Sequence, residues 1–192
     1  MFFLGLGSNL SSSFGDRFEN LNLAVSYLET YYIKINKRSN FYETPSYPEI
    51  KNPKFINLVV EVSTNLSLED LVSVLIFVEE KLERKRIKKN EPRTCDIDII
   101  DYNGKVMDFT YKNLIFKVPH EKLIYRNFVL FPLQEIAPKW IHPETKDSID
   151  VLINKLSNEE QKSILKITKS WYNILMLNQK ELIEKVKNYN RF

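Results

Sequence analysis

The chain has 192 residues, of which 43% are hydrophobic and 28% charged, with a formal net charge of +3. Those values exclude global disorder and give room for one well-buried globular domain with additions. A single cysteine, Cys95, excludes an internal disulfide and a cysteine-rich metal site and fits a reducing cytoplasm. The net charge is too small to call for nucleic acid, but it is clustered: Arg84, Lys85, Arg86, Lys88, Lys89 and Arg93 form a patch that suits an anionic partner.

In chain order, Met1 to Gly7 is apolar, too short to span a bilayer and without a basic leader, so it predicts a first strand and no membrane anchor. Phe14, Phe18, Leu21, Val25 and Leu28 recur at helical spacing and predict an amphipathic helix of about four turns. Ile33 to Tyr42 predicts a strand ending at Thr44-Pro45, followed by a loop punctuated by Pro48 and Pro53. Phe55 to Val62 predicts a third strand. Ser67 is a candidate N-cap for a second helix, with Leu68, Leu71, Val72, Leu75, Val78 and Leu82 on one side and Arg84 and Arg86 at its end. Asn103-Gly104 predicts a hairpin turn into a short strand near Lys105 to Met107. From Pro143 onward two or three helical stretches are predicted, the last at Trp171 to Val186.

The order strand, helix, strand, strand, helix, strand predicts an α+β fold of ferredoxin-like βαββαβ plan. Its sheet is mostly antiparallel, its helices cover one face, and a helical C-terminal extension follows.

The stretch Glu91 to Ile100 predicts the chemistry. Cys95, Ile97 and Ile99 alternate with Asp96 and Asp98, so on a strand the apolar groups enter a core while both carboxylates share the other face, roughly 6–7 Å apart. That spacing suits oxygen sites holding Mg²⁺ beside a polyphosphate, although an isolated pair of this kind is more often a solvated face. Arg93 starts the same strand, and arginine forks match phosphate oxygens. Lys85, Lys88 and Lys89 read equally well as a solvated helix end. The four glycines permit neither a Walker-type phosphate loop nor a dinucleotide fingerprint, so any phosphate must be held by side-chain cations and metal. His120 follows a proline and precedes Arg126 by six residues; His142 reads as structural. Phe55, Phe128, Tyr42 and Tyr47 read singly as core, but a pair of them would sandwich a flat heterocycle whose edge Asn57 would hydrogen-bond.

Several segments together resemble the 6-hydroxymethyl-7,8-dihydropterin pyrophosphokinases of folate synthesis. They are Gly5-Leu6-Gly7-Ser8-Asn9-Leu10, Tyr42-Glu43-Thr44-Pro45, Phe55-Ile56-Asn57, Pro92-Arg93-Thr94-Cys95-Asp96-Ile97-Asp98-Ile99, and Val118-Pro119-His120 with Arg126 to Leu133. The resemblance covers about the first 140 residues. It implies a cytoplasmic, monomeric transferase that moves a diphosphoryl group from ATP to the pterin hydroxymethyl oxygen and releases AMP, with no nucleic-acid or membrane partner. Asp96 and Asp98 would ligate two Mg²⁺ ions; Arg84 and Arg93 would hold phosphates and share in catalysis. Arg86, Ile99, His120 and Arg126 would sit at the nucleotide. Thr44, Pro45, Phe55, Asn57 and Phe128 would hold the pterin. Residues 1–142 would form the catalytic domain and 143–192 a helical extension packed on it or trailing it. Asn90-Glu91 stands where relatives often carry Trp-Gly, so closure of a lid at Lys85 to Glu91 would rest on charge. The competing reading is an RNA-binding ferredoxin-like module, weakened by the lack of an aromatic RNA-binding strand.

Overall fold

A computed structural model describes residues 2–86, 91–112 and 114–167. The fold is mixed α+β. Strand β1 (Phe2–Ser8) leads to helix α1 (Arg17–Thr30), then β2 (Lys34–Arg38), β3 (Phe41–Thr44), β4 (Phe55–Ser63), α2 (Leu68–Lys81) and β5 (Asp96–Tyr102). After these come the hairpin β6 (Met107–Tyr111) and β7 (Leu114–Val118), then α3 (Asn127–Ile136), α4 (Ile149–Lys155), α5 (Asn158–Lys162) and β8 (Leu165–Ile167). The main sheet has the order β5-β1-β4-β3-β8, with β2 also on β4, and every described strand pair is antiparallel.

Local chemistry sets the helix starts. Asp16 accepts the N–H groups of Phe18 and Glu19 while Glu19 returns a bond to Asp16, a reciprocal cap that begins α1. Ser67 accepts from Asp70 N–H at the start of α2, where the sequence places it. The predicted strand Ile33 to Tyr42 is interrupted at Ser39-Asn40. There the Ser39 hydroxyl takes the Val59 N–H that a regular ladder would give to a carbonyl.

Strict alternation along β1, β4 and β5 gives the sheet two apolar faces. Leu4, Leu6, Ile56, Leu58, Val60, Cys95, Ile97 and Ile99 pack under α1 and α2. Phe3, Val59 and Ile100 turn the other way and meet Leu130, Leu133, Trp140, Ile149 and Leu152 from α3, α4 and their connection. Each fully enclosed aliphatic side chain contributes about 1.5–3 kcal/mol. Helices therefore cover both faces, not one. Ile99 and Ile100 alternate between the two cores, and a register shift between Phe3 and Leu4 leaves Ile100 unpaired and sets Asp101 opposite Phe3.

Three further expectations are corrected. Helix α2 ends at Lys81 with Leu82 as its cap, and the turn at Glu83, with φ of 66°, places Arg84 and Arg86 beyond the helix. The Asn103-Gly104 turn does occur, but β6 pairs with β7 rather than folding back on β5. The C-terminal segment holds α4 and α5 and also β8, which extends the sheet beyond β3. The predicted helix at Trp171 to Val186 lies outside the described residues, as do Lys88, Lys89 and Asn90 in the middle of the predicted lid.

Trp140 ties the two ends of the second core together, since its Nε1–H donates to Asp101 Oδ2 at 2.7 Å while both residues are buried. Trp140→Phe keeps most of the apolar bulk but strips a partner from a buried carboxylate, so urea unfolding should show a loss of about 1–3 kcal/mol with an unchanged m value. Native stability in the variant would mean that the bond contributes nothing net.

Candidate active site

The second face of the sheet is left open at one end. There the register places Gly7 beside both Asn57 and Asp96, and Gly5 beside Asp98. A Cβ on Gly7 would lie 3.1 Å from Asn57 Oδ1 and 3.6 Å from Phe55 Cδ1, so the missing side chain clears a floor between these groups.

Both carboxylates of the strand point to this floor, and arginines meet them. Asp96 is held by Arg84 Nη1 at 2.5 Å and Arg93 Nη2 at 2.7 Å; Asp98 is held by Arg126 Nη1 at 3.0 Å. Burial pushes the Asp96 carboxyl up, but the Arg93 and Arg84 guanidinium groups outweigh it and hold the carboxyl below the usual range. Arg93 also lies over the Phe55 ring at 4.8 Å, and Arg126 over Phe128 at 5.5 Å. The two rings predicted to sandwich a heterocycle thus each carry a cation on one face. Among the described residues, Arg93 Nε and Thr94 Oγ1 are buried beside Asp96 in the chain without a hydrogen-bond partner.

Asn57 is buried, and its Nδ2 donates to Thr44 Oγ1 at 3.0 Å, which leaves Oδ1 at the floor above Gly7. Pro45 is exposed at the start of the loop that follows. His120 is half-buried, and its Nδ1 accepts the Lys122 N–H at 3.1 Å. Burial lowers its pKa against the pull of Asp98, so at neutral pH the ring is uncharged with its proton on Nε2.

A cleft of about 380 Å³ opens at the sheet edge between α2, β5 and β7. Val72, Ile76, Ile99 and Phe116 supply apolar wall, while Glu79, Arg86, Asp98, Lys117 and His120 supply the polar lining. A mostly apolar slot with convergent cations suits a flat base carrying an anionic tail. Among the described residues no third histidine, cysteine, aspartate or glutamate joins Asp96 and Asp98 in a metal-holding group. The chain's own donor set is then two carboxylates on one strand face. That set fits Mg²⁺, which takes one or two carboxylates together with substrate phosphates and retained waters.

The sequence reading missed two residues. Asn9, buried, donates from Nδ2 to Ser46 Oγ and Pro53 O, and its Oδ1 accepts the Arg93 N–H at 2.6 Å. It joins the root of the loop after β3 to the root of the basic segment. Glu79 is 2% exposed; its Oε1 accepts the Ile97 N–H at 2.8 Å and contacts Arg84, while Oε2 contacts Arg86. Its position was legible, because residue 79 falls on the apolar stripe of α2, seven after Val72 and four after Leu75, where a carboxylate needs a partner.

Residues 3–138 match the family described as 7,8-dihydro-6-hydroxymethylpterin-pyrophosphokinase. A 2-amino-4-hydroxy-6-hydroxymethyldihydropteridine pyrophosphokinase of Synechocystis sp. is 32% identical over 154 residues, covering 80% of this chain and 74% of that protein. The protein of the same name from Aquifex aeolicus is 36% identical over 141 residues, covering 73% of this chain and 82% of its own length. A folic acid synthesis protein of Dictyostelium discoideum is 36% identical over 141 residues, with only 20% of its length spanned. Among solved structures, wild-type Plasmodium falciparum HPPK-DHPS is similar with a TM-score of 0.62 at 20% identity, over 80% of this chain and 44% of that one. That likeness speaks for the fold, and the chain spans under half of the solved protein.

Burial pushes the Glu79 carboxyl up to about 7 from 4.5, against the pull of Arg84. The folded state therefore binds this proton more tightly than the unfolded chain. Its stabilising contribution is fully present below pH 4.5 and is lost as pH rises through 7. Denaturant unfolding of wild type and Glu79→Gln from pH 4.5 to 8 should show the wild type losing ground to the variant across that window. Parallel pH profiles would mean that Glu79 does not titrate there.

Proposed function

The chain belongs to the 7,8-dihydro-6-hydroxymethylpterin-pyrophosphokinase family, and on that premise we propose that it transfers the diphosphoryl group of ATP to the hydroxymethyl oxygen of 6-hydroxymethyl-7,8-dihydropterin, releasing AMP, in folate biosynthesis. The carrying observation is the pairing of Asp96 and Asp98 with Arg84, Arg93 and Arg126 at the open end of one strand face.

In this reading the hydroxymethyl oxygen bonds to the β-phosphorus, the bond from that phosphorus to the α,β-bridging oxygen breaks, and AMP leaves with that oxygen while the hydroxyl proton passes to solvent. Such a transfer draws its rate from positioning and electrostatics. Asp96 and Asp98 would hold two Mg²⁺ ions, whose charge would neutralise the triphosphate. Arg84 and Arg93 would exchange carboxylate for phosphate oxygens without leaving the site. Arg86, His120 and Arg126 would bind the nucleotide tail, and Ile99 would lie beside the base in the cleft. Asn57 Oδ1 would accept from the pterin edge, with Phe55 and Phe128 against its faces and Thr44 and Pro45 beside it.

The finer architecture we read as ferredoxin-like, from the order β5-β1-β4-β2/β3, with residues 1–142 as the catalytic part and 143–192 as an extension that braces it. On this reading the chain acts as a monomer. Among the described residues no helix is long and apolar enough to cross a membrane, and a lone buried cysteine suits the cytoplasm. An RNA-binding module is not supported. The sheet face that such a module would present lies under α3 and α4, and the relatives carry the transferase name.

The assay is AMP release from ATP and the hydroxymethyl-dihydropterin in Mg²⁺, and absence of AMP with the wild type would overturn the reading. Asp96→Ala and Asp98→Ala should each cut turnover by about 10²–10³-fold with thermal melting near native. Near-native turnover in either would remove that carboxylate from the metal set. Asn57→Ala should weaken pterin binding about tenfold or more and leave ATP binding close to wild type by calorimetry, because a site that loses its polar partner strands the ring's donors. Equal losses for both ligands would make Asn57 structural.

A further inference from the structure

We propose that Glu79 is a positioning residue that keeps Arg84 and Arg86 at the polyphosphate site when Asp96 gives up its arginine partners. The role rests on the diphosphoryl-transfer reading above and adds a residue to it. Arg84 is wedged between two anions, Asp96 on one side and Glu79 on the other, with only 11% of its side chain exposed. If Asp96 turns to a divalent cation, Arg84 loses one of these two anchors. A guanidinium held by that carboxylate alone would be free to follow whichever anion lay nearest. Glu79 cannot move with the ligand, because it stands on the last turn of α2 and its Oε1 also takes the Ile97 N–H of edge strand β5. Its other oxygen takes Arg86, a residue of the cleft lining. One buried carboxylate thus fixes both arginines at the root of the basic segment, whose far end Asn9 fixes at Arg93.

The fold itself has little use for this charge. Residue 79 lies on the buried stripe of α2 among Val72, Leu75 and Val78, where an apolar side chain would pack. Arg84 keeps Asp96 and Arg86 is half exposed, so neutralising residue 79 leaves neither guanidinium buried alone. The bond to Ile97 N–H is the one structural duty, and an amide oxygen performs it equally well. Glu79→Gln therefore separates the two roles: it keeps an acceptor for Ile97 and removes the charge that holds the arginines.

The test is a set of double-mutant cycles read by calorimetric binding of Mg²⁺ with the α,β-methylene analogue of ATP, whose bridging carbon cannot leave with AMP. Glu79→Gln alone should weaken binding about tenfold, with thermal melting no lower than wild type at pH 8. In the Arg84→Ala background the further loss from Glu79→Gln should shrink to about twofold or less, and in the Arg86→Ala background it should also shrink. Wild-type affinity in Glu79→Gln, or the same fold-loss in all three backgrounds, overturns the proposal, since Glu79 would then not act through the arginines. Binding of the analogue by wild type without AMP release from ATP and pterin would overturn the diphosphoryl-transfer reading, while the cycles would still decide the role of Glu79. Failure of wild type to bind the analogue at all would overturn both.

Discussion

The structure depends on a sheet that must bury both of its faces and yet leave one end of the second face uncovered. Alternation along β1, β4 and β5 sends every second residue under α1 and α2, and the intervening ones toward α3 and α4. On that second side the apolar residues Phe3, Val59 and Ile100 are confined to one half of the strands. In the other half the same positions are Gly5, Gly7, Asn57, Asp96 and Asp98, which cannot form an apolar core. The helices stop where the apolar residues stop. The site is the part of the face that the sequence makes unfit for packing.

Carboxylates and guanidinium groups placed side by side on that floor would be costly if either set stood alone. They instead satisfy one another: Asp96 takes Arg84 and Arg93, Asp98 takes Arg126, and Glu79 takes Arg84 and Arg86. The site therefore carries both halves of the charge pattern that a metal–polyphosphate complex would bring. Ligand entry on the proposed reading exchanges ion pairs one for one, carboxylate to cation and arginine to phosphate, without leaving an uncompensated buried charge. Arginine serves this better than lysine, because its planar fork offers several donors and can bridge two anions, as Arg84 does between Glu79 and Asp96.

How much of this was legible follows from which signals are local. The alternation Cys95-Asp96-Ile97-Asp98-Ile99 and the helical stripe of α2 are short-range patterns, and both elements stand where the residues predict them. The partners of each arginine are long-range facts: Arg126 meets Asp98 across 28 positions, and nothing in either neighbourhood announces it. Helix α3 has a weak local signal, since Pro132 lies inside it and argues against helix on propensity alone. The covering of both sheet faces was hidden for a related reason. The helices that close the second face come after β5, outside the six-element order from which a one-sided fold was read. Glu79 was overlooked among its apolar neighbours, although a lone carboxylate on a buried stripe is itself a signal.

The segment beyond the family-matched residues 3–138 bears on the site more directly than its position suggests. Trp140, Ile149, Leu152, Ile153 and Leu156 supply a large part of the second core, so α3 has no complete bed without them. Asn127, the first residue of α3, donates from Nδ2 to Glu160 O at 2.6 Å and to Ser163 Oγ at 2.9 Å. Its chain neighbours are Arg126, paired to Asp98, and Phe128, whose ring Arg126 covers. At the other end of α3, Glu135 takes Asn40, Tyr42 and Lys166, which joins β3 to β8 just before Thr44. Both ends of α3 are thus fixed partly by residues 139–167. Since α3 carries one wall of the floor and β3 leads into another, the geometry of the charged cluster is set as much by these late contacts as by the strand that bears the carboxylates.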